Sequence, residues 1–358
     1  MRDRFALRAG LRRITPSKRE AQCGVVPCQL GGPEVLAIGR PGAWRTQLRG
    51  VVSCGHIWSC PVCSERIRAC RCERAMRAVR NAGGRWQMLT VTVAHGPHDD
   101  LRTLLLGLSA AWRRARQGGA VQRNWTARVT ASIRSTEIKW HGRNGWHPHL
   151  HLALRTSAWS DVERTELLRR WQSAVERHLG AAHVPSTERG LWWSSPLTVV
   201  SDGDIGVARY VSGLGLEVTG AAGDDKGSPW SVARAAAEGD ARAIELWREY
   251  CRATSGRRMI ELDDRATRWA KIATRDEPER PNEQVRVLPI DSLELEALRA
   301  QEQAQPGILG FLLADAQVAT DPETAVRGWI AIAQAGARAR YRARAVPSAR
   351  LRPSVALV

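Results

Sequence analysis

Between Leu89 and Val93 apolar and polar residues alternate: Leu89, Val91 and Val93 point one way, Thr90 and Thr92 the other. That period of two predicts a half-buried strand within WQMLTVTVAH (86–95). Leu101, Leu104, Leu105, Leu108 and Trp112 then recur at helical spacing, and Gly118-Gly119 marks the stop. Residues 127–140, rich in β-branched side chains, predict a second strand, and His141-Gly142-Arg143-Asn144-Gly145 supplies turn chemistry. WHPHLHLAL (146–154) alternates again and predicts the returning strand. Ser160 can cap a helix carrying Val162, Leu167, Leu168, Trp171, Val175 and Leu179. LWWSSPLTVV (191–200) reads as a strand, Asp202-Gly203-Asp204 as a helix start, and 226–275 as helical. Strands in hairpin order with helices between them predict an α+β fold: an antiparallel sheet with flanking helices.

The pattern divides the 358 residues into regions. Residues 1–80 form a cysteine-rich N-terminal region that ends in a basic helix, and 85–220 form the sheet domain. Residues 221–275 are a helical extension. Pro and charge content mark 276–289 (DEPERPNEQVRVLP) as a linker, and 290–358 hold a helical segment and an unpatterned basic tail. There is no internal repeat and no phosphate-binding glycine loop. An ATP-driven helicase, where one is needed, is therefore expected to be a partner protein.

The chain is strongly basic. The formal net charge is +18 with a pI near 10.8. Lysine occurs only at Lys18, Lys139, Lys226 and Lys271, so the other basic residues are arginine. Such a chain suits a polyanion, most simply nucleic acid, because arginine pairs bidentately with phosphates and guanine edges. The Arg- and Ala-rich composition is also what a GC-rich coding bias would give, an alternative source for part of the excess. SGRR at 255–258 places Arg257 and Arg258 as candidate DNA contacts. The N-terminal MRDRFALRAGLRRI lacks a signal-peptide apolar region, and no apolar run approaches a membrane span, so a cytoplasmic location without membrane contact is expected.

Thiols are reduced there, so clustered cysteines read as metal ligands rather than disulfides. Cys60-Pro61-Val62-Cys63 is a CxxC knuckle preceded by Cys54, and Cys23 or Cys28 can complete a tetrahedral site for structural zinc. His56 is a weaker candidate. Cys70 and Cys72 sit on a helix and point in different directions.

The densest chemistry is in the returning strand. His147, His149 and His151 share one face, since successive strand side chains alternate. If Trp140 pairs with Trp146 around the five-residue turn, Glu137 stands opposite His149 and Ser135 opposite His151. Directly opposite Cβ atoms are roughly 5 Å apart, so Glu137, His149 and His151 can converge on one divalent cation. Pro148 implies an edge position or a bulge, and a bulge would exchange His147 for His149. On ligand softness this set suits manganese or zinc.

These residues also carry a resemblance. EIKWHGRNGWHPHLHLAL resembles the metal-binding hairpin of HUH endonucleases, more narrowly that of replication initiator proteins of actinobacterial rolling-circle plasmids. CGHIWSCPVCSERIR (54–68) resembles their cysteine-rich segment, LTVTVAH (89–95) their first sheet motif and ARYVSG (208–213) their tyrosine motif. The stretch from Lys226 to Arg258 resembles their helical C-terminal block. Together the motifs span most of 20–270 in the family's order.

The resemblance implies the HUH fold, a magnesium or manganese ion at the histidines, and Tyr210 as nucleophile. It implies that Tyr210 cuts one strand of a plasmid origin, leaving a 5′-phosphotyrosine and a 3′-hydroxyl primer, and later rejoins it, with host helicase and DNA polymerase as partners. The chain departs from the family at Gly213, where a lysine commonly follows the tyrosine by three residues; Arg209 or Lys226 are candidates for the missing charge. Two other readings share the motifs: a transposase or relaxase of the same chemistry, and an origin-binding protein with impaired catalysis.

Overall fold

The computed structural model describes residues 2–15, 17–28, 32–157, 159–186, 190–193, 197–199, 227–272 and 283–345. In chain order these form α1 (Arg2–Leu11), α2 (Lys18–Ala21), β1 (Glu34–Arg40), β2 (Ala43–Arg49), α3 (Pro61–Ala82) and β3 (Gly84–Thr92). There follow α4 (Leu101–Ala115), α5 (Gly119–Arg128), β4 (Val129–His141), β5 (Gly145–Thr156), α6 (Asp161–Leu179), β6 (Leu191–Trp193) and β7 (Leu197–Val199). The remainder is α7 (Pro229–Glu238), α8 (Ala241–Thr254), β8 (Ile260–Leu262), α9 (Asp264–Lys271), β9 (Gln284–Pro289), α10 (Ser292–Ala304), α11 (Ile308–Val318) and α12 (Pro322–Ala345). The architecture is α+β with antiparallel sheets and flanking helices. No helix among the described residues is long and apolar enough to cross a membrane.

Two units divide the chain. One comprises Ile14–Pro16 and Gly55–Glu279. Its sheet runs β6-β3-β5-β4-β8, with β7 also pairing with β3, all antiparallel. Leu89, Val91, Val93, Leu150, Leu152 and Leu154 fill one face and pack against Leu104, Leu108 and Trp112 of α4 and Leu167, Trp171 and Val175 of α6. Within this core Trp171 Nε1 donates to the Thr92 carbonyl at 3.1 Å. Asp100 caps α4 and Ser160 caps α6, the latter through a capping box with Glu163. Val162, expected on the buried stripe of α6, is 79% exposed because it lies in the first turn, before the helix reaches the sheet.

Helices α4 and α6 approach closely at Gly107. A Cβ there would overlap the branched end of Leu179. Gly107→Ala is therefore expected to destabilise the unit by about 1 kcal/mol, overpacking of roughly 1–3 kcal/mol being partly offset by alanine's better helix propensity. Gly107→Val should cost more. A thermal or denaturant melt that ranks glycine, alanine and valine as equal would contradict the close approach.

The other unit joins Met1–Arg13 and Ser17–Cys54 to residues 280–358. Its three-stranded sheet has the order β2-β1-β9, so residues 284–289, expected in a linker, are instead the partner strand of β1. The alternation in QVRVLP is that of a strand, and the neighbouring Pro and charge content masked it. Helix α1 packs on α11, and Arg8 forms a buried ion pair with Glu302 of α10 at 3.2 Å. The basic segment expected to be an unpatterned tail is helical through Ala345, as alanine and arginine both favour helix.

Candidate metal centre

The β4–β5 hairpin has the register that its turn predicts. Trp140 pairs with Trp146, Glu137 with His149 and Ser135 with His151, without a bulge between them. Pro148 sits opposite Ile138, whereas β3 pairing stops at Thr92 opposite His149. One side of Pro148 thus has no ladder neighbour, a position that tolerates a missing N–H. Gly145 closes the turn at φ +78°, and a Cβ there would lie 2.6 Å from the Gly96 carbonyl oxygen. The turn is pressed against the loop that follows β3.

On the face opposite the leucines, Glu137 (6% exposed), His149 (8%) and His151 (6%) form one cluster. Their ligand atoms lie within 4.8 Å of one another. Both imidazole Nε2 atoms approach the same oxygen, Glu137 Oε2, at 2.7 Å from His149 and 2.8 Å from His151. Only the His151 contact has hydrogen-bond geometry; His149 Nε2 is buried without a hydrogen-bond partner. His151 Nδ1 lies 3.0 Å from Thr90 Oγ1, which fixes the ring. Lys139 Nζ stands 3.4 Å from the other Glu137 oxygen. Burial alone would raise the Glu137 carboxyl, but the contacts from His149 and His151 outweigh it and hold it well below the usual carboxylate range. Burial lowers His149, against the pull of Glu137. Two imidazoles and one carboxylate, with His149 Nε2 not engaged in a hydrogen bond, fit a divalent cation.

His147 lies on the same face with its ring centroid 4.7 Å from that of His149, but its nitrogens are not among the converging ligand atoms. Its Nδ1 meets His95 Nε2, and its ring lies against His141 as well as His149. Burial, then His149, His95, His141 and Lys139, push it down to about 3. The unfolded chain, with His147 near its ordinary value of about 6.5, then binds one more proton than the metal-free folded protein between pH 6.5 and 3. Stability should therefore fall as pH drops through that window, by up to about 1.4 kcal/mol per pH unit. His147→Gln should flatten the slope measured between pH 6.5 and 5; an unchanged slope would contradict the assignment.

Arg68, which the sequence did not single out, is 1% exposed, and none of its guanidinium nitrogens has a hydrogen-bond partner. Burial lowers it to about 10, partly countered by Tyr250, Cys72 and Glu137. Tyr250 is a packing residue: it is 1% exposed, stacked on Trp146 and Trp247, and burial raises its hydroxyl. Arg257 is half-buried and donates to the Ala253 carbonyl at 2.9 Å, whereas Arg258 is exposed. Tyr210, Arg209, Lys226 and Gly213 lie outside the described residues.

The sulfurs of Cys23, Cys54, Cys60 and Cys63 form a second cluster, all buried and within 4.8 Å of one another. Of the two candidates for the fourth position, Cys23 joins it and Cys28 does not. Cys60 is the N-cap of α3, Pro61 opens the helix and Cys63 lies in its first turn. Four thiols in that arrangement can hold a tetrahedral ion. Cys70 is exposed and Cys72 buried on α3, facing different ways as expected.

Two curated relatives from Streptomyces are similar to this chain. It is 25% identical to "Protein rep" of Streptomyces lividans over 63% of its own length and 65% of that protein. It is 29% identical to "Neomycin resistance protein" of Streptomyces cyanogenus over 32% of its own length and 33% of that protein. The chain thus spans less than two thirds of either relative. No family model matches it. No solved structure matches it.

Proposed function

We propose that this protein is a plasmid replication protein of the HUH type, which binds an origin and nicks one DNA strand. The observation that carries the reading is the convergence of Glu137, His149 and His151 on one face of an antiparallel sheet. The likeness to "Protein rep" supports the replicative role over a transposase or relaxase. Bound at those three residues, a divalent magnesium or manganese ion would supply Lewis-acid stabilisation of charge on a DNA phosphate. Glu137 contributes the fixed negative charge, Thr90 orients His151, and burial keeps His149 neutral for ligation. The Tyr210 hydroxyl releases its proton to solvent as its oxygen bonds to phosphorus and the bond to the 3′-oxygen breaks; the 3′-oxygen takes up a proton from solvent to become the primer hydroxyl, and the phosphotyrosine conserves the bond for rejoining. Tyr250, sealed in its aromatic stack, is excluded from that role by burial. The thiolate cluster is assigned to structural zinc.

Incubation of supercoiled origin plasmid with Mg²⁺ or Mn²⁺ tests the reading. Nicked circles with protein covalently attached are expected, and both should disappear with Tyr210→Phe. Nicking by Tyr210→Phe at the wild-type rate would overturn the assignment of the nucleophile. The second reading, favoured by Gly213, is origin binding without catalysis; it predicts binding but no nicks from the wild-type chain. In either case binding should weaken by about a thousandfold between roughly 50 and 200 mM salt, through counterion release. Affinity that stayed flat over that range would contradict a phosphate-dominated interface.

A further inference from the structure

We infer that His95 and His147 form a second cation site, separate from the Glu137 triad and selective for a borderline transition ion. The site is built by backbone contacts. Gly145 presses on the Gly96 carbonyl, so the hairpin turn and the loop after β3 are held together. His95 Nδ1 lies 2.9 Å from the Asn144 carbonyl oxygen. A carbonyl only accepts, so Nδ1 carries a proton and Nε2 is the nitrogen that can offer a lone pair to an ion. That tether to a carbonyl is the orienting contact that metal-binding imidazoles ordinarily have on their outer nitrogen.

His95 Nε2 faces His147 Nδ1, with the ring centroids 4.5 Å apart. Both residues are half-buried, so an ion can reach them from solvent. His141, exposed at the turn with its ring centroid 5.6 Å from that of His147, is a third imidazole not engaged at the triad. Without a metal, His147 Nδ1–H donates to His95 Nε2; when a cation binds, that proton leaves Nδ1 for solvent and the ring takes one up on Nε2, so both facing nitrogens offer lone pairs. Nitrogen donors without a carboxylate disfavour magnesium and calcium and suit zinc, cobalt or nickel. The remaining coordination positions open outward, where water or a DNA phosphate oxygen can enter. The ion would rivet the hairpin turn to the end of β3, at the rim of the triad.

The test is titration of the metal-free full-length chain with Co²⁺, followed by calorimetry and by the absorption of nitrogen-ligated cobalt, which is distinct from thiolate-ligated cobalt. His95→Ala and His147→Ala should each lose the same single nitrogen-ligated equivalent, His151→Ala a different one, and His95→Ala/His151→Ala both. Melting of each metal-free variant checks that it folds, and His95→Gln, which keeps size and polarity, should lose the equivalent as His95→Ala does. Wild-type stoichiometry and affinity in folded His95→Ala would overturn the site. So would a double variant that loses no more than His151→Ala alone, since that outcome describes one shared site. The readout does not involve DNA, so it stands or falls independently of the nicking reaction.

Discussion

Alanine in place of Glu137 is expected to abolish cation binding at the triad and to slow strand cleavage by about a thousandfold or more, since losing some 4 kcal/mol of Lewis-acid stabilisation corresponds to three factors of ten. Glu137 is the cluster's only anion, and it is buried between two imidazoles, one of which, His149, is lowered by its burial. Removing it leaves a divalent ion with neutral donors in a poorly solvated pocket, and leaves the buried Arg68 cation without its nearby negative charge. Glu137→Gln preserves the shape and removes the charge, so it should resemble alanine in metal affinity while melting closer to wild type. Calorimetry with Mn²⁺ and a single-turnover nicking assay would read both effects. Cleavage by Glu137→Ala at the wild-type rate would detach the chemistry from this face of the sheet.

Loss of the thiolate cluster should be the most damaging change to the fold. With Cys60→Ser, or after extraction by a strong chelator, the chain is expected to lose its tightly held zinc and to unfold around the start of α3. A structural zinc ion is worth roughly 10–16 kcal/mol in small zinc domains at neutral pH, which matches or exceeds the entire stability of a typical domain. Cys60 is 0% exposed and caps α3, the helix that carries Arg68 and the buried residues Cys72, Ala75 and Val79. Elemental analysis should find less than one zinc per chain, and proteolysis should begin near residues 54–63. A Cys60→Ser chain with unchanged zinc content and melting temperature would refute the assignment.

What was legible in the sequence was local. The two tryptophans flanking a five-residue turn fixed the hairpin register, and with period two that register put Glu137 across from His149. What was illegible depended on partners far away in sequence. His95 ends a short apolar run and looks unremarkable until β3 is found beside β5, which brings it to His147. Arg68 reads as one arginine among many, and only tertiary packing encloses it. Gly118-Gly119 signalled a stop, which hid α5 beginning at the second glycine. In the same way, β9 is spelled by four alternating residues inside a proline-rich, charged context, and its partner is more than two hundred positions upstream.

That distant pairing has a consequence for how the protein is made. At about 5–20 residues per second, the ribosome needs on the order of ten to fifty seconds between releasing Arg40 and supplying Gln284. Throughout that interval the nascent hairpin of β1 and β2 has an open edge, while the segment bearing the histidines can already mature. Premature termination upstream of Gln284 would leave Val35, Leu36 and Ala37 without their covering strand, giving an aggregation-prone product even though every ligand of the triad had been translated.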